Sequence, residues 1–327
     1  MTQAEDKIVL EASTEPAHYG QRLDQVLADL FPDFSRSRMK TWIQEGQVSI
    51  NGETVTVPRQ KMLGDETIKI NATVEKQVVS EPQAIALNIV YEDDDILIIN
   101  KPADMVVHPG AGNPRGTLLN ALLAHVPGID KVPRAGIVHR LDKDTTGLMV
   151  VAKTLQAQTH LVDQLQNRVM SREYEALVMG TMVAGGVVDA PIGRHATKRT
   201  LMAVREFGKP AVTHYRVIEK FRAHTHVRLK LESGRTHQIR VHMTYIKHPL
   251  VGDPVYGGRP RLPKGATESC VNALRQFRRQ ALHAAQLSLF HPRTDEWMTW
   301  QAPLPDDMVA LIDSVREDTR EHADEPL

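Results

Sequence analysis

Residues 136–147 read Gly-Ile-Val-His-Arg-Leu-Asp-Lys-Asp-Thr-Thr-Gly, with charged side chains crowded between two apolar segments. Ile137 and Val138 end the first segment, and Leu148 to Ala152 form the second. We therefore predict a charged loop between two buried strands, because apolar runs of this length are typical of strands. A loop on such a rigid scaffold is a common place for binding and catalytic groups, although a solvated surface turn has the same composition.

Composition limits the classes to which the protein can belong. Its 327 residues, 41% hydrophobic and 24% charged, predict a soluble globular protein of about two domains. Cys270 is the single cysteine, which excludes an internal disulfide or a multi-cysteine metal site and fits a reducing cytoplasm. No apolar run approaches the roughly 20 residues of a membrane helix, and the polar N-terminus does not look like a signal peptide. We therefore expect a cytoplasmic protein without a membrane partner.

The net charge is zero, but the charges are unevenly distributed. Residues 221–280 contain 12 Lys and Arg against 3 acids, whereas residues 306–325 contain 8 acids against 2 arginines. This asymmetry allows a basic face that could bind nucleic acid, or charges that simply scatter over a solvated surface. Val227, Leu229 and Leu231 alternate with Arg228 and Lys230, so we expect a strand with one basic face beside the functional site.

The chain is predicted to begin with a flexible N-terminus at 1–18, followed by a small unit at 19–75. Apolar residues from Leu23 to Leu30 have helical spacing, and Asn51-Gly52 between alternating runs predicts a hairpin. The second predicted helix carries three cations, Arg36, Arg38 and Lys40. This helix-helix-hairpin unit resembles the S4 RNA-binding domain, and the resemblance implies that these cations contact RNA phosphates. A solvated basic helix face is the alternative.

We expect a linker at 76–88, a larger domain at 89–305 and an acidic C-terminal segment at 306–327. Many strands with irregularly placed helices predict an α+β fold for the larger domain, built on a mixed, mostly antiparallel sheet flanked by helices. The N-terminal unit is predicted to be a small S4-like α/β domain.

His139-Arg140-Leu141-Asp142 with Thr145-Thr146-Gly147 is similar to the signature of the RluA family of RNA pseudouridine synthases. Other stretches match that family in order: Asn100-Lys101-Pro102, Arg172-Glu173-Tyr174, Gly234-Arg235-Thr236-His237-Gln238-Ile239-Arg240-Val241-His242, His248-Pro249 and Gly252-Asp253. The resemblance covers residues from about 84 to 303 and implies the pseudouridine synthase fold.

The resemblance also implies roles for individual residues. Asp142 corresponds to the essential catalytic aspartate, and Arg240 to the arginine that pairs with it and keeps it ionised. Tyr174 corresponds to the tyrosine that stacks on the uracil, and Arg140 to a residue that fills the space left by the flipped nucleotide. We expect His139 to be structural, and we expect Thr236 to cap the helix that carries Arg240.

The implied reaction is an isomerisation of uridine in 23S rRNA, in the helix 69 stem-loop, on the way to the large ribosomal subunit. Such a reaction needs no cofactor and no metal, and we expect a monomer. Two alternatives belong to other classes. A non-catalytic rRNA-binding ribosome assembly factor would use the same basic surfaces without needing Asp142, Tyr174 and Arg240 together. An Asp/His hydrolase would need a serine or cysteine nucleophile in a suitable context, which the sequence lacks.

Overall fold

The computed structural model of the chain describes residues 6–31, 36–74, 80–110, 112–198 and 200–323. Two compact units, Met1–Val79 and Ser80–Leu327, make up the molecule. Each unit has its own hydrophobic core. Among the described residues, no helix is long and apolar enough to cross a membrane.

The N-terminal unit packs two helices against one antiparallel sheet. Its elements are β1 (Asp6–Ser13), α1 (Leu23–Leu30), α2 (Arg36–Gln44), β2 (Val48–Ile50), β3 (Glu53–Val55) and β4 (Thr67–Val74). The strand order is β1-β4-β2-β3. Leu23 and Leu27 of α1 and Trp42 of α2 are buried against Ile68 and Ile70 of β4. The predicted hairpin is confirmed: Asn51 and Gly52 both have positive φ, as the tightest two-residue hairpin turn requires.

The prediction of a flexible segment at 1–18 is wrong for the residues that the structure describes. Strand β1 pairs with β4 over its whole length, from Asp6 opposite Val74 to Ser13 opposite Thr67. The alternation around Leu10 is short and lies among charged residues, which made the strand hard to recognise. Its pairing satisfies backbone groups along the outer edge of β4, and Leu10 packs against the core.

The C-terminal unit contains eleven strands among its described residues, and nine of them form one large mixed sheet. Its strands are β5 (Ile89–Glu92), β6 (Ile96–Lys101), β7 (Thr146–Ala152), β8 (Ser171–Met179), β9 (Gly186–Asp189), β10 (Ile192–Arg194), β11 (Met202–Val204), β12 (Val212–Lys220), β13 (His224–Leu231), β14 (Leu282–Phe290) and β15 (Trp297–Gln301). Its helices are α3 (Leu118–His125), α4 (Leu155–Gln166), α5 (Gln238–Tyr245), α6 (Glu268–Gln276) and α7 (Asp306–Glu321).

Nine of these strands form one sheet, in the order β5-β6-β7-β14-β8-β13-β12-β9, with β15 also paired to β14. The β7–β14 pair is parallel and the other pairs are antiparallel, which confirms the predicted mixed, mostly antiparallel sheet. Strands β10 and β11 form a separate hairpin. Helices α3 and α5 pack on one face of the sheet, and α4 packs on the other.

The charged segment at 136–147 lies on the α3 side of this sheet. Only its second flanking segment is a strand, β7, whereas a 3-10 helix at Pro133–Gly136 and a single bridge at Ile137 precede the loop. Gly136 and Gly147 have φ of +72° and +115°. A Cβ on Gly147 would lie 2.3 Å from the Ala284 carbonyl oxygen. These two glycines let the ends of the loop lie directly against the neighbouring backbone.

Two predicted boundaries of the large domain differ from the structure. Residues at the end of the expected linker pack on the C-terminal unit, because Ile85 and Leu87 contact its core and the Gln83 N–H donates to the Asn120 carbonyl. The expected acidic segment is mostly α7, which packs against α6. Its buried residues recur at helical spacing, and the many acids hid this pattern: Met308, Leu311, Ile312 and Val315.

Candidate active site

A cleft of about 900 Å³ opens beside the segment at 136–147. Its wall is formed by residues 137–142, the start of β8, the loop at 231–237 and the first turn of α5. The volume lies within the range of ligand-binding clefts, and the structure brings Asp142, Tyr174, Arg140 and Arg240 together in its lining. These are the residues that the sequence predicted for the catalytic domain.

Buried side chains hold the loop that carries Asp142 in place through hydrogen bonds. Lys101, 1% exposed, donates to the carbonyl oxygen of Lys143 at 2.8 Å and to those of Pro102 and Met105. Burial lowers the pKa of Lys101 to about 8. Gln280 donates to the Thr145 hydroxyl at 2.9 Å. The loop therefore has a fixed backbone, which orients the carboxylate of Asp142 before any substrate arrives.

Arg240 connects two carboxylates. Its Nε and Nη2 donate to the two oxygens of Asp253, at 2.7 and 2.9 Å, and its Nη1 donates to Asp142 Oδ2 at 2.9 Å. Burial alone lowers the pKa of Arg240, but the hydrogen bonds and charges of Asp253 and Asp142 outweigh it, so that this pKa is raised. A permanently charged guanidinium, oriented by Asp253, thus faces Asp142.

Asp253 is enclosed and fully bonded, whereas Asp142 remains accessible. The Asp253 side chain is 0% exposed, and its Oδ1 also accepts from the Val255 and Tyr256 N–H groups. Burial raises the pKa of Asp253, and the Arg240 and backbone donors reverse the effect and hold it below its ordinary value. The Asp142 side chain is 20% exposed, and among the described residues its Oδ1 accepts no hydrogen bond. That oxygen is free to meet a substrate.

His237 also lies near the carboxylate of Asp142. Its Nε2 lies 3.8 Å from Asp142 Oδ1, and its Nδ1 is 2.8 Å from the Tyr256 hydroxyl, which also accepts from the Met202 N–H. Burial lowers the pKa of His237, and the negative charge of Asp142 opposes this only in part. His237 itself precedes α5 with φ of +57°. The expected cap is therefore wrong, because Thr236 is exposed and Gln238 bonds the Arg235 N–H instead.

Tyr174 lies on β8 and is 6% exposed. Burial raises the pKa of Tyr174, so its hydroxyl is protonated at neutral pH. Among the described residues this hydroxyl has no hydrogen-bond partner. An aromatic ring with an unused donor in a cleft can stack on a planar base and donate a hydrogen bond to it.

His139 and Arg140 are neighbours with different surroundings. His139 Nε2 accepts from the Val150 N–H at 3.2 Å, and burial, assisted by the charge of Arg172, lowers its pKa to about 3. A neutral histidine bonded to the backbone fits the expected structural role. Arg140 is exposed at the cleft, and among the described residues its side chain makes no ion pair.

The lining of the cleft is strongly cationic. Its two acids, Asp142 and Glu232, are both paired, the latter with Arg168 at 3.1 Å and His214 at 2.6 Å. Six arginines line the same cleft: Arg134, Arg140, Arg168, Arg172, Arg235 and Arg240. Such a lining attracts an anionic ligand.

The basic strand face predicted beside the site is on the other side of the sheet. Val227, Leu229 and Leu231 of β13 share a core with Tyr174, so Arg228 and Lys230 point away from the cleft. Part of the local surplus of positive charge is also neutralised by α7. Arg279, which is 9% exposed, pairs with Asp307, and Arg222 pairs with Asp318.

The N-terminal unit has a basic groove of its own, of about 430 Å³. Arg36 and Lys40 line it, as does Asp24, which accepts from both Arg36 and Arg22. Burial raises the pKa of Asp24, but the Arg36 and Arg22 donors outweigh it and lower this pKa. Asp24 therefore neutralises part of the charge while holding the two guanidinium groups in place. The side chain of Arg38 lies outside the described residues.

Other reactive residues lie apart from the cleft. Cys270 is buried in α6, and burial raises its pKa to about 11, so it is a poor nucleophile. In the part of the chain that the structure describes, one group of potential metal ligands consists of Asp93, Asp95 and His291. These side chains already have partners, because Asp93 accepts from the Ile96 N–H and Asp95 pairs with Arg293 at 2.6 Å.

Several residues of the site were visible in the sequence only as motif positions without a role. Asp253 orients Arg240, and Lys101 anchors the loop. Gly252-Asp253 and Asn100-Lys101-Pro102 were recognised, but their side chains could not be assigned partners. Such partners come from different parts of the chain and become evident only in the folded molecule.

Comparisons with known protein families agree with this geometry. The family model described as RNA pseudouridylate synthase matches residues 95–245, and the S4 domain model matches residues 21–68. Ribosomal large subunit pseudouridine synthase D of Escherichia coli is 62% identical over 319 residues, which are 98% of this chain and 98% of that protein. The protein of the same name from Haemophilus influenzae is also 62% identical, with the same coverage.

Solved structures have the same fold. Human RNA pseudouridylate synthase domain containing 4 is similar with a TM-score of 0.56 at 25% identity, over 70% of this chain and 93% of the human one. Human RNA pseudouridylate synthase domain containing 1 gives a TM-score of 0.53 at 26% identity, over 72% of this chain and 96% of the human one.

Proposed function

This chain belongs to the RluA family of RNA pseudouridine synthases, and from that premise we propose that it isomerises uridines of large-subunit ribosomal RNA with Asp142 as the catalytic carboxylate. The observation that carries the proposal is the Asp142–Arg240 pair, with its 2.9 Å hydrogen bond, in a cleft lined by arginines. The two synthases named above, each 62% identical to this chain, carry the large ribosomal subunit in their names.

The finer substrate in this proposal is the helix 69 stem-loop of 23S rRNA. An anionic strand suits the six arginines of the cleft, and a loop presents uridines that are easier to unstack than those in a duplex. The N-terminal unit supplies a second basic groove, in which Arg36 and Lys40 would contact phosphates, with Arg38 on the same helix. The enzyme is proposed to be cytoplasmic and monomeric.

The chemistry breaks the bond between N1 of uracil and C1′ of the ribose and forms a bond between C5 and C1′. The proton that leaves C5 is balanced by the one gained at N1, so substrate and product are isomers and no cofactor is required. Arg240 donates to Asp142 Oδ2 and leaves Asp142 Oδ1 free toward the cleft. An ionised carboxylate there can stabilise the developing positive charge on the sugar.

Asp142 could act in one of three ways: by attacking the sugar, by attacking the base or by removing a proton. Tyr174 is proposed to stack on the flipped uracil, and its unused hydroxyl can assist proton movement. Arg140 is proposed to occupy the gap left in the RNA, since its guanidinium is exposed at the cleft and planar enough to stack on bases.

The proposal is tested by mapping pseudouridines at nucleotide resolution in rRNA from cells that lack this protein. We expect wild-type protein to restore the missing pseudouridines and Asp142→Asn to restore none, because the amide keeps the shape but lacks the charge. Asp144→Asn is the matched control, since Asp144 is an acid of the same loop that does not line the cleft.

Two results would contradict the proposal. Equal restoration by Asp142→Asn would exclude the catalytic role of Asp142. A deletion strain with a complete set of large-subunit pseudouridines but defective ribosome assembly would favour a non-catalytic assembly factor.

A further inference from the structure

Arg172 is a buried cation that has no partner in the part of the chain that the structure describes. It lies in β8, is 8% exposed and lines the cleft. Among the described residues, no side chain or carbonyl accepts a hydrogen bond from its guanidinium, and its Nε is fully enclosed without a partner. Arg172 and Tyr174 are two positions apart on one strand, so their side chains point to the same face of the sheet, where the cleft lies.

The loop opposite makes room for this guanidinium. A Cβ on Gly234 would lie 2.7 Å from Arg172 Nη1, so a side chain at this position would displace the guanidinium. Gly234 also lines the cleft. The glycine therefore lets the guanidinium lie against the loop backbone at the cleft wall, although it gains no hydrogen bond there.

No acid of the cleft is available to balance this charge. Asp142 is bonded to Arg240, and Glu232 is paired with Arg168 and His214. Arg172 has lost most of its contact with water, and a charge buried to this extent without a counter-ion destabilises the free protein. The positive charge of Arg172 is felt nearby, where it adds to the burial that lowers the pKa of His139. A ligand is thus the remaining source of a partner.

We propose that Arg172 binds a backbone phosphate of the RNA substrate next to the flipped uridine. A planar guanidinium matches two phosphate oxygens with two parallel N–H donors, and such charge-assisted pairs are strong away from water. The phosphate would supply the missing counter-ion at the wall shared with Tyr174. This inference rests on the proposed function, because it requires RNA in the cleft.

The test compares Arg172→Met with Lys230→Gln. Lys230 is a matched control, because it is a cation of the same sheet on the face turned away from the cleft. Both are made in a chain that also carries Asp142→Asn, so that a helix 69 stem-loop RNA is bound but not consumed. We expect Arg172→Met to weaken binding by roughly ten-fold or more, and to reduce the slope of log affinity against log salt by about 0.7 to 0.9, the value for one lost phosphate contact.

Thermal unfolding separates binding from structure. A merely structural arginine would lower the melting temperature of the free protein when removed. Removing an unpaired buried charge should not lower the melting temperature, so we expect Arg172→Met to melt at the same temperature as the unsubstituted chain or higher.

RNAs in which one charged phosphate is replaced by an uncharged linkage can identify the phosphate that Arg172 contacts. Stem-loop RNAs with a single methylphosphonate are offered to the otherwise wild-type chain and to Arg172→Met. We expect one linkage near the target uridine to raise KM for the wild-type chain by roughly ten-fold and to have no further effect on Arg172→Met. An unchanged salt slope with weaker binding would indicate a neutral partner, such as a base carbonyl, and would overturn the proposal.

The two proposals fail in different ways. If the wild-type chain converts the RNA but Arg172→Met binds it with unchanged affinity and salt slope, only the Arg172 proposal is wrong. If the wild-type chain leaves every uridine of the RNA unmodified, the proposed function fails and this inference fails with it.

Discussion

The position of Asp142 depends on a second aspartate, Asp253, whose side chain is fully buried. Asp253 holds Nε and Nη2 of Arg240, which leaves Nη1 to face Asp142. If Asp142 were its sole partner, Arg240 could bond that carboxylate through any of its N–H donors and could therefore take several orientations. With two, the guanidinium has one orientation, and the geometry of the pair is set before the RNA binds.

We therefore predict that Asp253→Asn damages both stability and activity. The buried guanidinium would lose its main counter-ion, which should cost about 3 kcal/mol in the free energy of unfolding of the C-terminal unit. Pseudouridine formation should fall by more than about ten-fold, because Arg240 can turn away from Asp142. Urea unfolding and an RNA modification assay measure the two effects.

Asp104→Asn is the control for this prediction. Asp104 pairs with Lys143 close to the same loop, but its side chain is 85% exposed. Removing an exposed pair should change neither stability nor activity measurably. Similar losses in both variants would contradict the special role given to Asp253.

At the level of elements, β13 shows what an alternating sequence pattern can predict about a strand and what it cannot. Its alternation of apolar and basic residues is confirmed, since Val227, Leu229 and Leu231 are buried while Arg228 and Lys230 are exposed. The pattern indicated two faces but not which one would border the cleft. That depends on the neighbouring strands and helices.

Helix α7 was not predicted from the sequence, because its many acidic residues obscured the helical spacing of its apolar residues. Most of its acids lie on the outside, where Asp307 pairs with Arg279, while its apolar face packs on α6. The segment counts as part of the C-terminal unit because it buries core residues, whatever its net charge.

We predict that Leu311→Ala lowers the free energy of unfolding by about 3 kcal/mol, because it leaves a cavity in the packed interface of α7. Leu311 is 2% exposed. Val309→Ala on the same helix should cost less than about 0.5 kcal/mol, since Val309 is 41% exposed. Equal effects in chemical denaturation would mean that α7 does not belong to the core.

At the level of the whole molecule, the two units have separate cores and separate basic grooves. The cleft is lined entirely by residues of the C-terminal unit, and the N-terminal groove entirely by residues before Gln60. Chemistry and an additional contribution to RNA affinity can therefore be assigned to different units.

We predict that a chain beginning at Ser80 folds cooperatively and keeps its turnover at saturating RNA, while KM for a large rRNA fragment rises. The missing unit would remove phosphate contacts but no residue of the cleft. Calorimetry measures the folding, and RNA titrations measure the kinetic constants. A loss of turnover that saturating RNA cannot restore would show that catalysis needs the N-terminal unit.

The sequence alone determined the mixed sheet, the S4-like unit, the family and the four cleft residues Asp142, Tyr174, Arg240 and Arg140. Periodicity and ordered motifs are local properties, so they can be recognised without coordinates. The sequence pattern also predicts strands at 173–179, 211–220 and 225–231, and these agree with β8, β12 and β13 to within two residues at either end.

The tertiary structure decided what each of these residues touches. Asp253 lies 111 positions after Asp142, yet both bond one guanidinium, and Lys101 reaches the carbonyl of Lys143 across 42 positions. Four other features were also evident only in the folded structure. They are the side of the sheet that forms the cleft, the strand β1, the buried face of α7 and the unpaired charge of Arg172. Burial and pairing are properties of neighbours in space, and the order of residues along a chain does not specify those neighbours.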